Sequence, residues 1–235
     1  MKTKDAIILA GGLGVRLQEV IKDIPKPMAP IKDVPFLTFL FKYLKAQGIE
    51  RVVLSVGYKG EVIEAYFGSE YEGIEIRYAV EEEPLGTGGG IWNALTRIGT
   101  TTTFIINGDT FFNVPLAALE NYHFEQENML SVALKPMENF SRYGNVELDG
   151  DNRIVEFNEK EQCDKGQING GIYIVNTEDL LALGMPLKFS FETEFLNTRK
   201  GDFQFGGFVC DQYFIDIGIP EDYEKAQNEL QGMIE

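Results

Sequence analysis

The chain has 235 residues, 44% hydrophobic and 25% charged, which is the balance of a globular protein long enough to bury a sizeable core. Its 21 Lys and Arg stand against 37 Asp and Glu, a formal charge of −16. That charge excludes a general nucleic-acid binder, whose affinity comes from neutralising phosphates, and requires any anionic ligand to be neutralised locally.

Taken in chain order, the apolar run at 5–10 predicts a first strand, followed by the glycine-rich stretch Gly11, Gly12 and Gly14. Residues 35–47 predict a helix, with Pro35 in its first turn, Phe36, Phe39, Leu40, Tyr43 and Leu44 on one face, and Gly48 ending it. Further strands are expected near 51–56, 74–80, 103–107, 129–134, 143–148, 153–157, 168–175 and 206–215. Helical patterns fall at 60–67, 88–98, 114–124, 177–183, 191–198 and 220–231. Strand–helix alternation in the first half implies a parallel, doubly wound sheet, and the strand-rich second half an antiparallel portion. No repeat or linker divides the chain, so one domain over 1–235 is expected.

Ligands on such sheets gather at the carboxyl ends of the strands. Three segments would meet there: the glycine loop, the stretch Glu83 to Gly90, and Asn107-Gly108-Asp109. The glycine loop lets backbone N–H groups approach a bulky anion. It is not a dinucleotide fingerprint, because Leu17 stands where the last glycine belongs, and it lacks the Lys-Ser/Thr of a phosphate-binding Walker loop. Arg16 in that turn suits a polyphosphate, since a guanidinium grips two phosphate oxygens at once. Lys26, set between Pro25 and Pro27, adds a second cation on stiffened backbone.

Asp109 ends a strand beside this loop, and Asp216 lies in a similar setting in Tyr213-Phe214-Ile215-Asp216. One or two carboxylates completed by phosphates is how magnesium is held, so Mg²⁺ is the expected cofactor. In Glu81-Glu82-Glu83-Pro84-Leu85-Gly86, the Glu83 carboxylate could accept both N1–H and N2–H of guanine. Uracil or thymine would offer it only N3–H. In the second half, Glu159 and Asn169 could bond sugar hydroxyls and Lys160 could neutralise a sugar phosphate. The single histidine, His123, lies at a helix end and takes no role, which disfavours any mechanism built on a histidine base.

These segments together, GGLGVRL, PKPMAPI, EEPLGTGGG, NGD, FNEK, INGGIYI and FIDIGIPEDY, resemble the sugar-1-phosphate nucleotidyltransferase family in the family's order and over nearly the whole chain. The resemblance implies a Rossmann-like three-layer α/β/α sandwich with a mixed, mainly parallel sheet, of the nucleotide-diphosphosugar transferase type. It implies an enzyme that joins a nucleoside triphosphate to a sugar 1-phosphate with Mg²⁺, releasing pyrophosphate. It casts Arg16 and Lys26 as catalytic, and Leu9, Gly11, Gly12, Gly14, Glu83, Gly86, Thr87 and Gly108 as nucleotide-binding. Gly144, Glu159, Lys160 and Asn169 would face the sugar, and Asp109 and Asp216 the metal. The nucleotide part would span roughly 1–112 and the sugar-phosphate part 113–235. Within the family, DIPKPMAPI, EPLGTGGG, NGDTFF, INGGIYI, FSFE and YFIDIGIPEDY are similar to the guanylyltransferases that use GTP and a heptose 1-phosphate. The chain ends at 235 without the C-terminal β-helix of some members, so no second acyltransferase activity is expected.

Two other readings stay open: a hexose or amino-sugar 1-phosphate uridylyl-, cytidylyl- or thymidylyltransferase, and a non-catalytic nucleotide-sugar sensor. No run approaches the ~18 apolar residues of a membrane span, and MKTKDAIILAGG is too short in apolar residues for a signal peptide. Cys163 and Cys210 read as free thiols. A cytoplasmic protein with no nucleic-acid or membrane partner is expected, and a homodimer is compatible with the sequence.

Overall fold

The computed structural model of the protein describes residues 1–12 and 24–233. Strand β1 (Asp5–Leu9) comes first. A short 3-10 turn at Lys26–Met28 leads into a small hairpin of β2 (Pro30–Ile31) and β3 (Val34–Pro35), then helix α1 (Phe36–Ala46). Next come β4 (Arg51–Val56), α2 (Gly60–Phe67), β5 (Glu70–Tyr71), β6 (Ile74–Val80) and α3 (Gly86–Leu95). They are followed by β7 (Thr102–Asn107), β8 (Thr110–Phe112), α4 (Leu116–Glu125), β9 (Leu130–Phe140), β10 (Gly144–Leu148) and β11 (Ile154–Lys160). The second half ends with β12 (Cys163–Asn176), α5 (Thr177–Ala182), a π-helical turn at Phe191–Leu196 running into α6 (Asn197–Arg199), β13 (Phe205–Val209), β14 (Phe214–Asp216) and α7 (Pro220–Glu229).

Among the described residues, ten strands form one sheet. Its heart is the parallel set β7-β1-β4-β6, and β12 joins antiparallel beside β7. These central strands are apolar without alternation because both faces are covered. Side chains change face at every residue, so Ala6 and Ile8 enter one core while Ile7 enters the other. Val52 and Leu54 divide in the same way from Val53, and Phe104 and Ile106 from Ile105. The first core holds α1 and α2 through residues such as Phe39, Leu40 and Ile63. The second holds α3, α5 and the π-helical turn through Ile91, Leu180, Phe191 and Phe195. Helices therefore sit on both faces of a mixed, mainly parallel sheet, as expected.

From β1 the chain steps outward to β4 and β6, then returns to pair β7 on β1's other side. The strand order reverses between β1 and β7, and such a switch point opens a crevice at the carboxyl ends. Leu9 and Asn107 are register partners at that edge.

Strands β4 and β6 and helix α2 fall on the expected residues. The expected strand 206–215 is two: β13 runs parallel to β9, whereas β14 pairs antiparallel with β8. Strand β8 was not expected, being three residues long. Its pairing has the larger consequence, because the register Asp216↔Thr110 sets Asp216 beside Asp109.

Candidate active site

A cleft of about 1070 Å³ opens over the switch point. Of the expected site residues, Leu9, Gly11, Gly12, Lys26, Gly86, Thr87, Asp109, Gly144, Glu159, Lys160, Asn169 and Asp216 all line it. Gly14 and Arg16 lie outside the described residues. Glu83 and Gly108 do not line it.

Lys26 is the electrostatic centre. Its ammonium lies 2.5 Å from Asp109 Oδ2 and 3.6 Å from Asp216 Oδ1, with only 13% of the side chain exposed. The 3-10 turn that carries it starts at Pro25 and places Pro27 next to it, so the backbone aiming the side chain has little freedom. Asp216 is fixed by the Gly218 N–H, which donates to Oδ1 at 2.8 Å. Gly218 also keeps the space clear: a Cβ there would lie 2.8 Å from Asp216 Oδ1 and 3.2 Å from Lys26 Nζ. Burial first, and then the like charge of Asp109, raise the Asp216 carboxyl above its usual value, while Lys26 pulls it back.

Two carboxylates from distant strands that share one cation fit a magnesium site, which needs one or two carboxylates plus phosphate oxygens and water. Among the described residues no group of three or more His, Cys, Asp or Glu gathers as a metal cage. A phosphate-bearing ligand would have to supply the remaining oxygens.

Of the three consecutive glutamates, Glu81 and Glu82 line the cleft and Glu83 does not. Glu83 is exposed. Glu81 continues the ladder of β6, its N–H donating to Val56 O, and alternation puts it on the same face as buried Ala79. Its Oε1 accepts from Ser55 Oγ at 3.0 Å and its Oε2 from Leu85 N–H at 3.0 Å. Gly11 and Gly90 make room for it, since a Cβ on either would lie within 3.0 Å of Glu81 Oε1. Gly108 lies against the end of β1, where a Cβ would stand 2.5 Å from Leu9 O.

On the other side, the pairing of β12 with β9 shifts register between Asn169 and Tyr173, around Gly170 and Gly171. Gly171 adopts φ +74°, a conformation that favours glycine, against Asn107. This irregularity turns Asn169 into the cleft, where its Nδ2 donates to Tyr173 Oη at 2.8 Å. Glu159 and Lys160, exposed at the end of β11, stand at the rim.

Three groups in the cleft were missed from the sequence. Arg142 and Tyr143 line it from the β9–β10 turn, Arg142 paired with Asp222 of α7 and Tyr143 Oη 3.4 Å from Asp216 Oδ2. Glu192 enters from the π-helical turn. For Arg142 the signal was available, as an arginine directly before the expected strand 143–148. The other two depended on contacts between distant segments.

A sequence profile of the Nucleotidyl transferase family matches residues 5–232. The chain belongs to that family. A nucleotidyl transferase from Aneurinibacillus thermoaerophilus, D-glycero-alpha-D-manno-heptose 1-phosphate guanylyltransferase, is 50% identical over 98% of this chain and 100% of its own length. The protein of the same name from Campylobacter jejuni is 49% identical over 93% of this chain and 96% of its own. The crystal structure of HddC from Yersinia pseudotuberculosis complexed with GMP-PN matches with a TM-score of 0.87 and 38% identity, covering 97% of this chain and 100% of that one. As a nucleotidyl transferase, the chain carries its family's fold, and no helix among the described residues is long and apolar enough to cross a membrane.

Proposed function

We propose that this nucleotidyl transferase is a D-glycero-α-D-manno-heptose 1-phosphate guanylyltransferase, which joins GTP to the sugar 1-phosphate and releases pyrophosphate. The choice of substrates is supported by two relatives of that name, near 50% identical over almost their whole lengths. The observation that carries the chemistry is Lys26 set between Asp109 and Asp216 at the carboxyl edge of the sheet.

The reaction needs little from a base. A sugar 1-phosphate has a second pKa near 6, so its attacking oxygen is already ionised at neutral pH. That oxygen forms a new bond to the α-phosphorus of GTP as the bond to pyrophosphate breaks. The protein must align the two substrates and stabilise negative charge on the transferring group. Lys26 supplies fixed positive charge, and the amides of Gly11 and Gly12 flank the same cleft. Arg16 adds a second cation to that assignment on sequence grounds. Magnesium held by Asp109 and Asp216 would neutralise phosphate oxygens. The lone histidine, His123, is buried among Ser131 and Asn176, outside the cleft, in keeping with a reaction that uses no histidine.

Glu81 reads the base. Its ionised carboxylate accepts from N1–H and N2–H of guanine, a paired donor edge that uracil, thymine and cytosine lack. Asn169, Gly144, Glu159 and Lys160 form the sugar side, so residues 1–112 serve the nucleotide and 113–235 the sugar phosphate. The free Cys163 and Cys210 fit a reducing cytoplasm.

The test is pyrophosphate release across a matrix of nucleoside triphosphates and sugar 1-phosphates. GTP with the heptose 1-phosphate should give the highest kcat/KM by at least about tenfold. Greater turnover with UTP, CTP or dTTP would overturn the base assignment.

A further inference from the structure

Beyond the expected sugar contacts, one carboxylate in the cleft has a geometry built for recognition. Glu192 lies in the first turn of the π-helical segment and lines the cleft. Its Oε2 accepts from Thr87 Oγ1 at 2.7 Å and from Ser190 Oγ at 3.3 Å. Among the described residues nothing donates to Oε1. The Glu192 charge is also felt at Tyr173, whose hydroxyl takes a hydrogen bond from Asn169. Thr87, Glu192, Tyr173 and Asn169 thus make one polar wall of the cleft, reaching from α3 to β12.

The wall is held rigidly. Thr87 Oγ1 also accepts the Phe191 N–H at 2.9 Å. Gly88 donates its N–H to Phe189 O at 3.0 Å, and Phe189 N–H donates to Leu85 O at 3.0 Å. Glycine is required at this contact: a Cβ on Gly88 would lie 2.2 Å from the Phe189 ring, and one on Gly89 2.3 Å from Leu187 O. Gly88 and Gly89 of GTGGG dock the 187–191 segment against α3. Phe189 packs edge-on against Trp92 at 5.1 Å, completing the clamp.

An unpaired carboxylate oxygen is costly in a cleft that must accept two phosphorylated substrates. It repels their phosphates, so it is best placed away from them and against neutral donors. A sugar ring offers such donors, and a hydroxyl bonded to a carboxylate is stronger than one bonded to a neutral acceptor.

We infer that Glu192, positioned by Thr87, is a specificity-determining residue that accepts hydrogen bonds from hydroxyls of the sugar 1-phosphate. The inference rests on the nucleotidyl-transfer reading above and adds the residue that selects the acceptor. A sugar lacking the matched hydroxyl leaves the carboxylate without its donor and is rejected.

The experiment measures KM and kcat for sugar 1-phosphate and for GTP in wild type, Glu192→Gln, Glu192→Ala and Thr87→Val, against a panel of mono-deoxy sugar 1-phosphates. Loss of one charge-assisted bond should raise the sugar KM about 10–100-fold in Glu192→Ala, with less effect in Glu192→Gln. The KM for GTP should stay within about twofold in both Glu192 variants. One deoxy sugar that binds poorly to wild type should bind Glu192→Ala as well as the full sugar does, because the lost donor and the lost acceptor are the same contact. Trp92, the only tryptophan, packs on Phe189 and Phe195 and gives a fluorescence titration of sugar binding independent of turnover. If Glu192→Ala does not fold, Glu192→Met, which removes both acceptor oxygens at similar volume, reads the same coupling with the same deoxy panel. An active wild type with equal deoxy penalties in every variant overturns the inference while leaving the reaction standing. A wild type that releases no pyrophosphate with any sugar 1-phosphate overturns both.

Discussion

Replacing Lys26 by methionine removes one charge and little volume. The ammonium faces Asp109 at 2.5 Å and Asp216 at 3.6 Å. At an effective dielectric of about 20, those separations correspond to gross attractions of about 7 and 5 kcal/mol. Taking three charged groups partly out of water offsets most of that, so little net stability rests on the cluster. What survives is preorganisation: a cation already fixed where negative charge builds up. Loss of one such group costs about 2.7–4 kcal/mol of transition-state stabilisation, or about 100–1000-fold in kcat/KM. Lys26→Met should show this loss in pyrophosphate release at saturating Mg²⁺, while Mn²⁺ affinity does not fall, because both carboxylates remain. Lys26→Arg should recover less than about a tenth of the rate, since the wider guanidinium must fit between Asp109 and Asp216 beside Gly218. Turnover of Lys26→Met within threefold of wild type would show that the Lys26 charge does not stabilise the transition state. So would a loss explained entirely by weaker Mn²⁺ binding.

Chelation by EDTA should abolish turnover, and Asp109→Asn and Asp216→Asn should each weaken Mn²⁺ binding measured by titration; full activity in EDTA would contradict the metal assignment. Glu81→Gln should raise the KM for GTP about 10–100-fold, the scale of a hydrogen bond to a charged group, with smaller change for the sugar 1-phosphate. A uniform loss for both substrates would instead make Glu81 a brace for Ser55 and Leu85. His123 gives a pH prediction. Burial lowers its pKa below the ordinary 6.5, although Asn176 and Glu120 oppose the shift. The unfolded chain then takes up the proton first, so the stability it contributes is complete above about pH 6.5 and is lost as pH falls below that. Thermal unfolding of wild type against His123→Gln between pH 5 and 8 should show the profiles diverging only in the acidic half, and parallel profiles would contradict it.

The sequence reveals the fold where local pattern decides it. β4, β6 and α2 are bounded by turn residues and carry one clear period each, so their limits are readable. In the region 206–215 only Asp211 and Gln212 interrupt the apolar run, a break short enough to pass for a polar stretch within one strand, and it is there that Val209 leaves one partner and Phe214 finds another. That division depends on β8, whose three residues are too few to declare a strand. Asp109 and Asp216 could be chosen from the sequence by their setting, but their common contact with Lys26 comes from the β8–β14 register. Among Glu81, Glu82 and Glu83, parity along β6 puts both Glu81 and Glu83 on the face of Ala79, and only the ladder bond from Glu81 N–H to Val56 O marks Glu81 as the continuation of the strand. Glu192 was beyond reach, because its role depends on Phe189 meeting Gly88 across about a hundred residues.

In the proposed reaction an oxygen of the sugar phosphate attacks the α-phosphorus of GTP in this cleft. That attack is tested most directly by labelling the terminal phosphate oxygens of the heptose 1-phosphate with ¹⁸O and weighing both products. Full retention of label in the nucleotide sugar, with unlabelled pyrophosphate, is the predicted result. Label appearing in pyrophosphate, or no nucleotide sugar formed, would contradict it.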